Sequence, residues 1–411
     1  MADGPFQLSV PAVGARGLAM FGVILSSYVV NAMDRQIFPL LAPDIRHELG
    51  LNLSDMGLLT TILMFGMALA GLPTSFLVVH LGRKIVLMLG IVIFSAGTAL
   101  SGLADGFFSM ALCRALTGVG EAMQITVIIA IAANCFTRFR AASIASVNVA
   151  FGVGTMLGPW AGGGILAAQQ SWRTLLFAFA ALGLPVVLAI AAFVRRWLSE
   201  ALFSEAGGSG NAGGACHLAN RNTILLTAMT LICGLMIYGF LGMYPTYLRE
   251  VLHYRPVQAG SVMSFYGLGV LLSVGVAWLG DRLPPRPLLG VAFATAALLG
   301  ILLFSGLSDL HIQCAISFLW GLTLSGVVFP NLAANHVKAL SAALTNRATG
   351  IFITSFYGAA AVAGFTIGWM ADRANWALAG QLQFFSLAVL AVLLALALKP
   401  LGTTEVVIAP D

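Results

Sequence analysis

Long apolar stretches, separated by short clusters of glycine, proline and charged residues, run the length of the chain. Each is about 18 residues or more, enough to cross a hydrocarbon core of roughly 30 Å as a helix. The punctuation predicts helices near 17–43, 54–79, 85–104, 106–135, 143–168 and 173–197, then near 223–248, 256–280, 287–306, 310–335, 346–370 and 376–398. Between the two sets, residues 198–222 carry the run GGSGNAGGACH, the composition of a flexible, solvated linker. The expected fold class is an all-α membrane protein of about twelve transmembrane helices in two six-helix bundles, residues 1–197 and 223–411, the second ending in a short tail. A β-barrel would read instead as short alternating segments. The first apolar stretch runs on into Asn31, Asp34 and Arg35 without a small-residue cleavage pattern, so it reads as a retained helix and not a signal peptide.

Composition agrees: 59% of the 411 residues are hydrophobic and only 9% charged, too few to coat a water-soluble surface. With the N-terminus in the cytoplasm, thirteen basic residues fall in inner segments, against five in outer ones (Arg46, Arg173, Arg249, Arg255, Arg373). That bias fits an even number of spans with both ends cytoplasmic, in a bacterial-type inner membrane. It also explains the net charge of +5 better than nucleic-acid binding does, since the basic residues form no cluster among aromatics. The cysteines Cys113, Cys135, Cys216, Cys233 and Cys314 are scattered without metal-ligand spacing or pairing, and no metal or cofactor is expected. No phosphate-cradling Gly-x-x-x-x-Gly-Lys-[Ser/Thr] loop is present, so an enzyme or an ATP motor is not expected and energy would come from a gradient. The expected partners are the bilayer, a small organic anion and a proton, the expected state a monomer.

The halves also look alike. Leu81, Gly82, Arg83 and Lys84 after the second helix correspond in place to Gly280, Asp281 and Arg282 after the eighth, as two parallel repeats require. Such a duplication puts a binding cavity between the halves, opened alternately to either side. Inside the predicted spans lie four charges that loops do not explain: Asp34, Arg35, Arg114 and Glu121, summing to zero. A charge at the bilayer centre costs at least about 2.5–3.5 kcal/mol on insertion scales, so it persists if paired, hydrated or used. Arg114 and Glu121 are seven residues apart on one helix face, extended by Thr117 and Gln124. Tyr28, Asn31, Asp34 and Arg35 form a second polar stripe on the first helix. The two stripes are expected to face one shared cavity; the plainer alternative is a static buried network that braces the first bundle. Adding an anionic substrate to a neutral quartet leaves one uncompensated negative charge, which a proton on Asp34 or Glu121 would neutralise, freeing an arginine for the anion.

At these residues the chain resembles the major facilitator superfamily, and within it the organic anion–cation symporters that include hexuronate, galactonate and sialic-acid-type carriers. The resemblance rests on Asp34-Arg35 in the first helix and on Arg114, Gly118, Gly120 and Glu121 in the fourth. Phe136, Arg138 and Arg140 in the following loop, Gly154, Gly158, Pro159, Gly162 and Gly163 in the fifth helix, Trp172-Arg173 and Pro245-Thr246-Tyr247-Leu248 add to it. It implies the major facilitator fold, proton coupling through Asp34 and Glu121, and anion binding through Arg35 and Arg114, with Tyr28, Asn31, Thr117, Gln124, Tyr238 and Tyr357 as further cavity candidates. Gly82, Arg83, Lys84, Asp281, Arg282, Gly158, Pro159 and Gly162 are the gating or structural candidates. The same pattern also looks like the spinster group of lysolipid exporters, and the glycine-rich fifth helix like proton-driven drug antiporters, although small residues there equally permit close packing. A non-transporting membrane receptor or assembly subunit is the alternative of another class. Val79-His80 stand where the family carries Asp-Arg, so the brace of that loop is expected to be weaker or shifted to Asp281-Arg282. Tyr244 and Tyr266 could also present hydroxyls to a substrate and Asn331 and Asn335 polar contacts beside Pro330, while His80 and His336 read as loop residues.

Overall fold

The computed structural model describes residues 14–136, 140–169, 171–200, 215, 217–272, 283–341 and 344–399. Asp281 and Arg282, with Arg138 and most of the expected linker, lie outside them.

Helices dominate: α1 Ala15–Leu49, α2 Leu53–Leu81, α3 Arg83–Ser101, α4 Phe107–Cys135, α5 Arg140–Gln169 and α6 Trp172–Phe193 form the first half. The second holds α7 Arg221–Glu250, α8 Pro256–Leu272, α9 Pro285–Leu303, α10 Leu310–Lys338, α11 Thr345–Arg373 and α12 Trp376–Leu396. Eleven of these are long and apolar enough to cross a membrane, with α8 shorter among the described residues. Polar residues at the turns start the spans. Asn52 accepts from Asp55 N at 2.7 Å while Asp55 accepts from Asn52 N, a reciprocal cap, and Asn220, Asp309 and Asn375 cap α7, α10 and α12.

Two boundaries differ from expectation. α1 does not stop at 43 but passes through Pro39 and Pro43 to Leu49, ending where Gly50 takes a left-handed φ of 65° and returns its N–H to Arg46 O. Leu198 and Ser199, placed in the linker, are fully buried, so the first half continues to Glu200. α10 and α12 also contain π-helical turns, Gly321–Val328 and Gln381–Ser386.

Within the first half α4 packs on α2 and α3, and α1 on α5; in the second, α11 packs on α7, α8 on α10 and α9 on α12. The halves meet through α5 against α8, α2 against α11 and α1 against α7. The α2–α11 crossing requires glycine: a Cβ on Gly57 would stand 2.0 Å from Gly364 O, and one on Gly364 2.2 Å from Gly57 O.

One end of the bundle carries the start of α1, the α2–α3 turn, the end of α6, the start of α7 and the end of α12, tied by Lys84 Nζ to Val194 O at 2.7 Å and Asn222 Nδ2 to Lys399 O at 3.2 Å. At the opposite, far end the two halves are clasped. Arg249 of α7 binds Asp44 of α1 and donates to Leu40 O at 3.0 Å, and Arg46 Nε donates to Glu250 at 2.9 Å. Asp372 of α11 accepts from Ser54 N at 2.8 Å, Ser54 Oγ at 2.6 Å and Leu53 N at 3.2 Å, capping α2 across the divide. These contacts sit at the rim, where an ion pair is worth about 0–1 kcal/mol. Replacing Asp372 with alanine should lift the cap and favour separation of the far ends by about 1 kcal/mol, a roughly fivefold population shift. Spin labels at Leu51 and Ala374 should then report a larger long-distance fraction by electron–electron resonance.

Candidate functional site

A polar ladder joins α1 to α4. Arg35 Nε donates to Glu121 Oε2 at 2.9 Å, its Nη2 lies 2.7 Å from the same oxygen, and Nη2 also reaches Asn31 Oδ1 at 3.3 Å. Asn31 Nδ2 donates to Gln124 Oε1 at 2.8 Å, and Gln124 Nε2 to Ser27 Oγ at 2.9 Å. All of these side chains are buried, and Glu121 Oε1 has no hydrogen-bond partner among the described residues.

Asp34 turns elsewhere: its Oδ2 accepts from Thr98 Oγ1 of α3 at 2.8 Å. Arg114 lays its guanidinium over the Phe38 ring, 4.3 Å from the centroid, and its buried Nε and Nη1 make no hydrogen bond among the described residues. Thr117 donates to Cys113 O at 2.9 Å on its own helix.

Between the halves lies a cavity of about 210 Å³. Tyr28 and Arg35 of α1 enter it, with Asn148 and Phe151 of α5, Tyr238 of α7, Tyr266 of α8, Ser325 and Phe329 of α10, and Phe356 and Tyr357 of α11. Ala145 and Asn148, near the start of α5, and Pro330, in the closing third of α10, place it on the terminal side of Arg35, away from the clasp. Among the described lining residues Arg35 alone is charged. The walls are aromatic: Tyr238 packs on Phe356 at 5.8 Å and Tyr357 at 6.4 Å, Phe329 on Phe356 at 4.7 Å, and Arg35 Cζ sits 5.8 Å from the Phe151 ring.

The single chamber expected for all four charges is therefore split. Arg35 lines the cavity with Tyr28, Tyr238 and Tyr357, Glu121 stands directly behind Arg35, and Asn31 and Gln124 form the scaffold behind them. Asp34, Arg114 and Thr117 do not reach it. Geometry accounts for this. Adjacent residues such as Asp34 and Arg35 project about 100° apart around a helix, and the seven residues from Arg114 to Glu121 span roughly 10 Å along the axis. One face can thus serve two levels.

Other candidates also move. Tyr244 hydrogen-bonds Gln313 within the second half, whereas Tyr266 does line the cavity. Asn331 and Asn335 donate back to Val327 O and Asn331 O of their own helix. His336 is not a loop residue: it is fully buried in α10, with Nδ1 2.9 Å from Leu332 O, because α10 continues past Asn335 to Lys338. His80 is exposed at the end of α2, its ring tilted against Phe76 at 4.1 Å between centroids. Gly158 and Gly162 let α5 lie against α1, where a Cβ would meet Met33 at 2.9 Å or Ile37 Cδ1 at 2.3 Å, and Pro159 O faces Gly260 of α8.

The brace of the α2–α3 turn comes from a residue no motif marked. Gly82, at φ 81°, breaks the backbone, and Glu200 accepts from Arg83 N and Lys84 N, each at 2.9 Å, supplying a carboxylate at the start of α3 where the sequence lacks one. Asn148 and Phe151, one turn apart, and Phe356 beside Tyr357 were also missed, though a polar–aromatic pair in an otherwise small-residue helix is a legible signal. Among the described residues no three His, Cys, Asp or Glu side chains gather as a metal site.

Residues 24–365 match the model of the Major Facilitator Superfamily. The chain is 26% identical over 289 residues to a probable 4-methylmuconolactone transporter of Cupriavidus pinatubonensis, covering 66% of this chain and 64% of that one, so it spans a little less than two thirds of that relative. It is 25% identical over 416 residues to the hexuronate transporter of Bacillus subtilis, covering 91% and 94%. In structure it resembles a bacterial homologue of the human lysosomal transporter Spinster, in an inward-facing and occupied conformation. The TM-score is 0.71 at 17% identity, covering 92% of this chain and 95% of that one, a likeness of fold.

Proposed function

The chain belongs to the Major Facilitator Superfamily, a multi-pass membrane transporter and not an enzyme, and from that premise we propose that it carries a small organic carboxylate by alternating access, coupled to a proton. One observation carries the reading: a cavity between the halves, rich in aromatic side chains, presents a single cation, Arg35, among its described lining. A guanidinium matches a carboxylate in a two-pronged contact, and the rings accept an apolar body. The names of the relatives, transporters of a muconolactone and of hexuronates, support an organic acid.

Glu121 supplies the coupling. While ionised it holds Arg35 through one oxygen. An incoming carboxylate must share that arginine, and two like charges about 4 Å apart repel by about 4 kcal/mol at an effective dielectric of 20. A proton on Glu121 removes the repulsion and releases Arg35 to the substrate; loss of substrate on the other side restores the pair and expels the proton. Tyr28, Tyr238 and Tyr357 line the binding place, while Asp34 and Arg114 stay behind it and set the charge of the bundle. The excess of basic residues at the terminal end supports a cytoplasmic placing of that end, with the cavity then on the inner side and the clasp at the outer rim.

Uptake of labelled carboxylates into proteoliposomes tests the reading. Accumulation above the external concentration under an inward proton gradient, collapsed by a protonophore, is the expected result; flux indifferent to the gradient removes the coupling.

A further inference from the structure

Tyr266 and Ser325 place two hydroxyl oxygens 2.6 Å apart on the cavity wall supplied by the second half. The pair stands apart from the cationic pole. Tyr266 comes from α8 and Ser325 from α10, whereas Arg35 comes from α1, so the pair and the cation stand on walls supplied by opposite halves.

Its position is built. Ser325 lies in the π-helical turns Gly321–Val328, and such wide turns recur at functional sites because they rotate side chains off the regular helix face. α8 and α10 are pressed together at this level: a Cβ on Gly321 would stand 2.3 Å from Tyr266 O, and one on Gly269 2.2 Å from Phe318 O. When one hydroxyl donates to the other, a second O–H and further lone pairs remain for a ligand. In a wall otherwise made largely of rings and aliphatic side chains, a hydrogen-bonding spot held this firmly discriminates between substrates.

We propose that Tyr266 and Ser325 form a second anchor, reading a hydroxyl or oxo group that the substrate carries at the end remote from its carboxylate. The substrate class is then a ring-bearing hydroxy- or oxo-carboxylate. This rests on Arg35 as the carboxylate anchor.

The test uses the purified full-length protein and two matched pairs of probes, benzoate with 4-hydroxybenzoate and cyclohexanecarboxylate with 4-hydroxycyclohexanecarboxylate. Affinities come from ligand-induced thermal stabilisation. In at least one pair the hydroxylated member should bind about tenfold tighter than its parent, the worth of one good hydrogen bond. Ser325→Ala and Tyr266→Phe should each cut that ratio to about threefold or less, and Ser325→Thr should restore it, which also shows that the fold is intact. Equal binding within both pairs, no binding of either hydroxylated probe, or a ratio unmoved in both variants overturns the proposal. Arg35→Gln separates the two readings. Loss of every probe there, with the ratio unmoved in both Ser325→Ala and Tyr266→Phe, sinks this inference alone; retention of the probes there sinks the carboxylate anchor.

Discussion

Replacing Arg35 with glutamine is expected to abolish carboxylate-induced stabilisation and to lower uptake by at least about 100-fold. Each hydrogen bond to a charged group is worth about 1.5–3 kcal/mol, so losing a two-pronged contact removes two or more factors of ten. The variant has a second defect, because it leaves Glu121 buried without its cation, and breaking a buried pair costs about 3–5 kcal/mol. The two effects can be separated. Adding Glu121→Gln to Arg35→Gln removes the stranded charge, so the double variant should regain melting temperature without regaining uptake. Arg35→Lys keeps the charge but not the planar fork, and should retain weak binding. Uptake above a tenth of the wild-type rate in Arg35→Gln, with the protein folded, rejects Arg35 as the anchor.

Glu121→Gln should separate binding from energy coupling. Glutamine keeps the shape beside Arg35 but cannot give up a proton, so the cavity stays permanently positive. Exchange of labelled for unlabelled carboxylate should persist, while the accumulation ratio under an inward proton gradient should fall to about one. The sign of the pH effect follows. In the wild type, binding requires the protonated acid and weakens as pH rises; in Glu121→Gln that dependence should flatten. Retained uphill accumulation would move the coupling to another acid, and Asp34→Asn identifies whether that acid is Asp34.

How far the sequence could be read depended on scale. The spans were legible because membrane helices must be long and apolar, and the charges within them stood out against that background. Orientation was not. Asp34 and Arg35 are neighbours in the chain, yet one turns to Thr98 on α3 and the other into the cavity, a difference of phase that a list of polar positions does not carry. Ser325 escaped because the π-helical turns shift the face after Gly321, so regular periodicity misplaces it. Glu200 escaped because its role depends on the end of α6 folding back over the start of α3, more than a hundred residues earlier. His336 was misread at a helix end, where boundaries drawn from polarity are weakest.

α1 carries both the arginine that lines the cavity and two residues of the far-end clasp: Arg35 lies mid-helix, and Asp44 and Arg46 lie two to three turns further on. Pro39 and Pro43 fall between them. Neither has an N–H, so the carbonyls of Arg35 and Pro39 lose their ordinary helical bonds on this stretch, and the rod is softest between its two loads. A displacement of the guanidinium is therefore expected to reach the rim as a change of curvature, with the two prolines as the elbow between cavity and clasp.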